Sequence, residues 1–344
     1  MHMGWPALVR DELLSSYLSR AAIVRGMSTQ SLTALVCPGH AIWNRDLDAN
    51  ARADLLSTLA SAIGEPLLRI SDMTLKGLGC EKTNRPGWQG THQWITAIGV
   101  YHRSRRRHGL CFCPICLNEQ PFFRRQWRLA FWTVCPQHEV LLRDACPSCG
   151  GTVEPHRQQY DLRLCSRCNR PLVLGDCVAA VPSPLQGRLF RASVQAGLTQ
   201  NWQVAYCTGR EFLLGMNALL AGFGIARVPV FNGERQYRER LETRRVALRD
   251  ADIRLLDTLC QTWPESLHAA SRQYHVTQRS FRRQCPEWLA REIGQLPPGR
   301  INGQARDGRQ ALRIAAEAER CRRPGWRSLR AKTLLKMIYP FNEH

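Results

Sequence analysis

Cys113-Pro114-Ile115-Cys116, Cys135-Pro136-Gln137-His138, Cys146-Pro147-Ser148-Cys149 and Cys165-Ser166-Arg167-Cys168 follow one another along the chain. Each pairs two soft ligands across two intervening residues, the spacing at which a turn aims both side chains at one ion. Taken in order, they predict one site of three cysteines and one histidine (Cys113, Cys116, Cys135, His138). They predict a second site of four cysteines (Cys146, Cys149, Cys165, Cys168). Each site is filled by protein ligands, with no position left for water or substrate. The expected cofactors are therefore two structural Zn2+ ions whose binding supplies folding free energy.

Fifteen cysteines could instead mean disulfides. The start, Met1-His2-Met3-Gly4-Trp5-Pro6, has no basic region followed by an apolar run, so no secretory leader is expected and the compartment is read as reducing. Cys-x-x-Cys pairs then point to metal. Cys111 competes for the first site, but its Cys-x-Cys spacing to Cys113 suits a shared ion less. Cys177, Cys207, Cys260, Cys285 and Cys321 stand alone and are read as small hydrophobes.

Between the halves of the first site, Phe123, Trp127 and Phe131 recur every fourth residue. That spacing predicts one helical face, packed as core beside the metal. Arg124 and Arg128 would share another face, open to phosphate or solvent.

Outward from the metal block the chain reads as mainly α. Residues 1–108 are expected to form a helical, helix-turn-helix-like domain. Leu13, Leu14, Tyr17, Leu18, Ala21 and Ala22 are spaced for one helix face, with Gly26 as its stop and Ser28 or Thr29 as the next cap. A further helix is expected over 51–63, ended by Gly64 and Pro66. Residues 109–176 form the tandem zinc module. Residues 177–249 read as a helical connector in which Thr208-Gly209-Arg210-Glu211 is a capping-box pattern. Within it, 229–235 reads as a linker and 235–249 as a solvated helix face. Residues 250–344 are expected to be a second helix-turn-helix-like domain with an arginine-rich tail.

In that last domain, Ala270 is small enough for close helix crossing. Val276 and Phe281 would pack beneath a second helix capped by Thr277 and ended by Pro286. Arg279, Arg282 and Arg283 would ride on that helix, placed for a groove. Tyr274 stands where a turn glycine is usual. The N-terminal unit has the glycine, but its second helix is less basic.

The formal charge is +20, which favours polyanionic partners through counterion release. Lysine occurs only at Lys76, Lys82, Lys332 and Lys336, so 44 of the 48 basic side chains are arginine. Arginine suits phosphate and base stacking, although codon usage explains that preference equally well. The junction Tyr101-His102-Arg103-Ser104-Arg105-Arg106-Arg107 makes Arg103, Arg105, Arg106 and Arg107 nucleic-acid candidates. For 300–330, phosphate binding and a solubilising face both stay open. No stretch approaches the ~20 apolar residues of a membrane span.

Three stretches resemble the TniQ family. The first is Leu110-Cys111-Phe112-Cys113-Pro114-Ile115-Cys116-Leu117. The second runs from Trp127 to His138 and on through Leu141-Leu142 to Cys146-Pro147-Ser148-Cys149-Gly150. The third, Glu12-Leu13-Leu14-Ser15-Ser16-Tyr17-Leu18-Ser19-Arg20, is similar to the family's opening, with Leu13 in place of serine and Tyr17 in place of tryptophan. Trp263-Pro264-Glu265-Ser266 is similar to a C-terminal segment of the family. The resemblance covers roughly the first half of the chain. It implies a bacterial, cytoplasmic target selector of Tni-type or Tn-seven-like transposons. Such proteins link a target-recognition element to an AAA+ transposition regulator, of the TnsC or TniB type, which recruits the transposase. The element is attachment-site DNA or a guide-RNA Cascade complex, often bound by a homodimer. The length leans toward the Cascade-bound or plain Tni class.

Two other functions are weighed against this non-enzymatic adaptor. One is a sequence-specific, zinc-containing helix-turn-helix regulator reading DNA through 277–283. The other is a metal-dependent nuclease, which needs clustered carboxylates and an open metal position. The acidic residues are scattered and the proposed zinc sites are saturated, which weighs against catalysis.

Overall fold

The apolar spacing between Asp11 and Arg25 becomes a helix in the computed structural model, which describes residues 4–78, 92–224, 228–232, 235–281 and 285–299. α1 (Leu14–Val24) buries Leu14, Tyr17, Leu18, Ala21 and Ala22 completely. Each buried leucine of this kind contributes about 1.5–3 kcal/mol. Its end is a Schellman closure. Gly26 donates its N–H to the Ile23 carbonyl at 2.9 Å and Met27 donates to Ala22 at 3.1 Å. Gly26 has φ +63°, a left-handed value that disfavours a side chain. Ser28 then caps α2 (Thr29–Val36), accepting from the Ser31 N–H at 3.0 Å. The two helices and the Gly26 turn between them are present as expected.

α3 (Leu47–Asn50), α4 (Ala53–Ile63) and α5 (Leu67–Asp72) follow. Leu18, Trp43, Leu56, Leu59 and Ile70 belong to the core they share with α1. Gly64 ends α4 in a left-handed conformation, as expected. Pro66 differs from expectation: it starts α5 rather than simply stopping α4.

From residue 92 regular structure thins. β1 (Val100–Tyr101) and β2 (Ser104–Arg105) form a hairpin, followed by α6 (Pro114–Glu119) and the two-stranded ribbon of β3 (Val134–Cys135) and β4 (Val140–Leu141). Polar clamps replace sheet and helix here. The Arg143 guanidinium, for instance, donates to the carbonyls of Leu172, Leu174, Gly175 and Asp176 at 2.5–3.0 Å.

The helix expected around 122–132 does not form. Only a 3-10 turn, Arg125–Arg128, is present. The backbone groups are bonded elsewhere: Leu13 donates to Phe123, Arg125 to Asp11, Thr96 to Arg128 and Ala130 to Trp94, all at 2.7–2.9 Å. Phe123, Trp127 and Phe131 are nevertheless buried, at 1% exposure or less, so the core reading holds without the helix. Arg128 is no phosphate ligand. It is fully buried, bonded to Asp46 at 2.6 and 3.2 Å and to the Thr96 carbonyl at 2.8 Å.

These elements belong to one compact unit, Met1–Val181 together with Glu242–Val246. The returning stretch is fixed by Ala97 donating to the Glu242 carbonyl at 2.9 Å. Asp144 accepts from the Arg245 guanidinium at 3.0 Å and from the Val246 N–H at 2.7 Å.

The second unit is Pro182–Leu241 with Ala247–His344. Ser183 caps α7 (Pro184–Val194), and Pro184 sits at the first turn, where its missing N–H costs nothing. The hairpin of β5 (Thr199–Asn201) and β6 (Tyr206–Thr208) leads into α8 (Gly209–Gly222), which opens on the predicted Thr208/Glu211 capping box. α8 packs closely through its glycines. A Cβ on Gly209 would lie 2.5 Å from the Ala192 carbonyl oxygen, and Gly215 and Gly222 seat the rings of Trp288 and Phe281.

Three expectations are corrected in this half. Residues 229–235 are not a linker, because 228–239 holds the hairpin of β7 (Val228–Asn232) and β8 (Arg235–Glu239). Val228, Val230 and Phe231 favour strand, and the Asn232-Gly233 dipeptide is a hairpin signal. Residues 235–249 are not a solvated helix face: after β8 and a 3-10 turn, α9 (Val246–Thr258) buries Arg249, Asp250 and Asp252.

The third concerns the second helix-turn-helix. α10 (Glu265–Gln273) is present, but the described residues between it and Pro286 form only a 3-10 turn, Gln278–Ser280. Their polar groups are taken by neighbouring chain. Gln278 donates from its backbone to Pro297 at 3.1 Å, and from its side chain to Gly294 and Leu296 at 2.8 Å. Pro286 begins α11 (Glu287–Gly294) instead of ending a helix. Arg279 is exposed on the turn, while Arg282, Arg283, Cys321 and the 300–344 tail lie outside the described residues. Among the described residues, no helix is long and apolar enough to cross a membrane.

Candidate metal centres

The eight ligands singled out from spacing come together in two groups, each with its donor atoms within 4.8 Å of one another. In the first, His138 Nδ1 lies 3.5, 3.2 and 3.6 Å from the sulfurs of Cys113, Cys116 and Cys135. The sulfurs of Cys116 and Cys135 are 3.7 Å apart. In the second, Cys146–Cys168 and Cys149–Cys165 are separated by 3.7 and 3.8 Å. A tetrahedral ion with metal–sulfur bonds of ~2.3 Å and metal–nitrogen bonds of ~2.0 Å has edges of ~3.8 Å between sulfurs and ~3.5 Å from sulfur to nitrogen. Both groups have the size of such a tetrahedron and can bind a metal ion.

Three of the four half-sites are built alike. After the second ligand, Glu139, Gly150 and Asn169 take left-handed φ values of +49°, +67° and +55°. Each donates its N–H back to the carbonyl of the first ligand, Cys135, Cys146 or Cys165, at 2.9 Å. This reversal turns both ligand side chains to one side. The fourth half-site differs: Cys113 caps α6, Pro114 occupies its first turn, and Cys116 sits one turn in.

His138 is held from behind as a ligand imidazole should be. With Nδ1 among the sulfurs, Nε2 lies 3.4 Å from the Glu119 carboxylate on α6, which fixes ring and tautomer. Sequence reading missed Glu119, although its place three residues after Cys116 was a usable signal.

Crowding decides the thiols' chemistry. The neighbouring thiols of Cys113 and Cys135 push Cys116 far above the ordinary thiol range. Hydrogen bonds from Cys113 and Cys116 pull Cys135 far below it. In the second group burial holds Cys165 up at about 12, while the Arg170 backbone N–H helps bring Cys168 down to about 7. Thiols this close cannot all ionise side by side without a cation among them. Cys111 is buried outside both groups. Cys177 is exposed rather than packed, whereas Cys207 and Cys260 are buried as read.

The N-terminal helix is joined to the first centre. Glu12, Ser16 and Arg20 lie four residues apart on one face. Arg20 donates to Glu12 at 2.7 Å and Ser16 donates to it at 3.0 Å. Ser16 Oγ also accepts from the Phe123 N–H at 2.9 Å. Burial outweighs Arg20 and raises the Glu12 carboxyl above its usual range.

The basic junction divides. Arg103, Arg106 and Arg107 are exposed on or beside the β1–β2 hairpin. Arg105 is not available to nucleic acid. It is 5% exposed and donates to the Val153 carbonyl at 3.0 Å. Arg105 on β2 turns inward while its neighbours Arg106 and Arg107 stay at the surface.

A family model described as TniQ matches residues 4–142, from the segment before α1 through all four ligands of the first centre. This part of the chain is similar to the TniQ family. No curated relative matches the sequence. The TniQ match supports a transposition-associated role. It ends before the second metal centre, whose ligands begin at Cys146.

Proposed function

We propose that the chain is a non-enzymatic target-selection adaptor for DNA transposition, with a Zn2+ ion in each tetrad. The observation that carries this is the TniQ match over 4–142, which spans both the Glu12–Ser16–Arg20 clasp and the first metal centre. Zinc fits the donor sets: thiolate and imidazole at tetrahedral spacing, with every position taken by protein. Such ions neutralise clustered thiolates and staple a segment poor in helix and strand. They leave no site for a metal-bound nucleophile, which agrees with recruitment rather than chemistry.

In this reading the partners are an AAA+ transposition regulator on one side and a target-recognition element on the other. That element is a guide-RNA Cascade complex or attachment-site DNA, engaged by a homodimer. The alternative, a DNA-reading regulator, draws less support, because its expected recognition helix is a 3-10 turn.

The test is a tagged pull-down from cells carrying the native transposon locus, with RNA and proteins identified together. Co-purification of an AAA+ regulator with a guide RNA or a discrete DNA site is expected. Recovery of a single DNA site with no regulator, together with transposition unaffected by deleting the gene, would replace the adaptor with the regulator reading.

A further inference from the structure

The β1–β2 hairpin has features that the fold does not require. Its two-residue turn is His102-Arg103, at φ +45° and +63°. Turns of this type favour Asn-Gly, because side chains in that region cost roughly 1–2 kcal/mol per residue. Both side chains are exposed, so neither recovers that cost by burial, although the His102 ring packs edge-on against Tyr101 with centroids 4.2 Å apart.

The hairpin is also rigidly held from below. His156 Nε2 donates to the Arg103 carbonyl at 2.9 Å, Thr152 donates to the Arg105 carbonyl at 3.1 Å, and Glu154 accepts from the Arg105 N–H at 2.6 Å. All three anchors follow closely after Cys149 of the second metal centre. On the outer side, Arg106 lies over the Tyr101 ring, 5.0 Å from its centroid, and Tyr101 is 55% exposed. Among the described residues, no carboxylate pairs with Arg45, Arg103, Arg106 or Arg107. Arg45 and Arg103 line one hollow beside the hairpin, and Arg45 also lines a neighbouring hollow with Arg52 and His40. Arg45 therefore extends the positive surface past the hairpin, whereas Arg52 beside it is paired with Asp54 at 2.7 Å.

We propose that this hairpin is a prong that grips a single nucleic-acid strand. Arg45, Arg103, Arg106 and Arg107 meet successive phosphates, and Tyr101 offers its ring to an unpaired base. An exposed aromatic among arginines is the chemistry of single strands, whose bases are free to stack. A duplex keeps its bases stacked on one another and would leave Tyr101 without a role. The inference rests on the nucleic-acid partner of the proposed function and adds where, and in what form, the strand is held.

The experiment titrates the full metal-loaded chain into fluorescein-labelled oligothymidylate, oligouridylate and a duplex of equal length, followed by anisotropy. Strands are expected to bind more tightly than duplex. Tyr101→Ala should weaken strand binding about tenfold while Tyr101→Phe restores it. Arg103→Ala and Arg106→Ala should each reduce the salt dependence by about 0.7 in log–log slope. Preference for uridylate assigns the strand as RNA and preference for thymidylate as DNA; either supports the prong. Unchanged binding in Tyr101→Ala, tighter binding of duplex, or loss of binding only alongside a lowered melting temperature would overturn it. Transposition is not the readout. Failed strand binding by a chain that transposition needs would remove the prong alone, and strand binding by a chain whose deletion leaves transposition unaffected would remove the adaptor alone.

Discussion

The hydroxyl of Ser16, on α1, accepts a hydrogen bond from the backbone N–H of Phe123 at 2.9 Å and so joins the N-terminal helix to the strip of chain between the two halves of the first metal centre. The two residues are 107 positions apart, and both groups are buried. Replacing Ser16 with alanine leaves the Phe123 N–H without a partner and removes one donor from the buried Glu12 carboxylate. Leaving a buried group unpaired costs about 1–3 kcal/mol. Ser16→Ala is expected to lower stability by that amount in denaturant melts, with metal content unchanged.

Arg128 is the buried cation on which two carboxylates depend. Asp46 lies 2.6 Å from it and Asp48 3.5 Å, and Asp48 also accepts from Ser15 at 2.8 and 2.9 Å. Truncating the arginine would remove the salt-bridge partner of both aspartates, a loss of about 3–5 kcal/mol for a buried pair. Arg128→Ala is expected to be insoluble or to melt far below the native chain. Unaltered stability would show that this cluster is not needed for the fold.

His156 gives the fold an acid sensitivity whose sign can be stated. It is stacked on Trp43 at 4.9 Å, and burial, aided by Arg105, lowers its pKa to about 3. The unfolded value is about 6.5. Between the two values the unfolded chain binds a proton that the folded chain refuses. Stability from this residue is complete above pH ~6.5 and declines as the pH falls toward ~3. His156→Gln can keep a donor for Arg103 but cannot titrate. Melting curves from pH 7 down to 4 should show the native chain losing more stability than the variant. Parallel losses would contradict the assignment.

What was legible in the sequence is what local chemistry dictates. The eight ligands, the Gly26 and Gly64 stops and the Thr208/Glu211 box each depend on a few neighbouring residues. Errors arose where tertiary structure overrides spacing. Phe123, Trp127 and Phe131 have helical periodicity, but their backbone is bonded to the N-terminal segment and to Thr96, so four-residue spacing recurs without a helix. Arg105 and Arg128 resembled their basic neighbours. Only the carboxylates and carbonyls brought to them from distant positions reveal that they are interior. The segment after Thr277 failed as a helix for a similar reason, since Gln278 is bonded to the end of α11.

In the proposed function, two closed zinc centres staple this chain. The most direct measurement is the metal content of the purified chain by inductively coupled plasma mass spectrometry, repeated on Cys146→Ser. Zinc is expected at two ions per native chain, one for each tetrad. The variant is expected to lose the ion at the second centre, with the first retained or the chain unfolded. A native chain that is fully folded and free of metal, or a Cys146→Ser chain with unchanged zinc and unchanged melting, would contradict it.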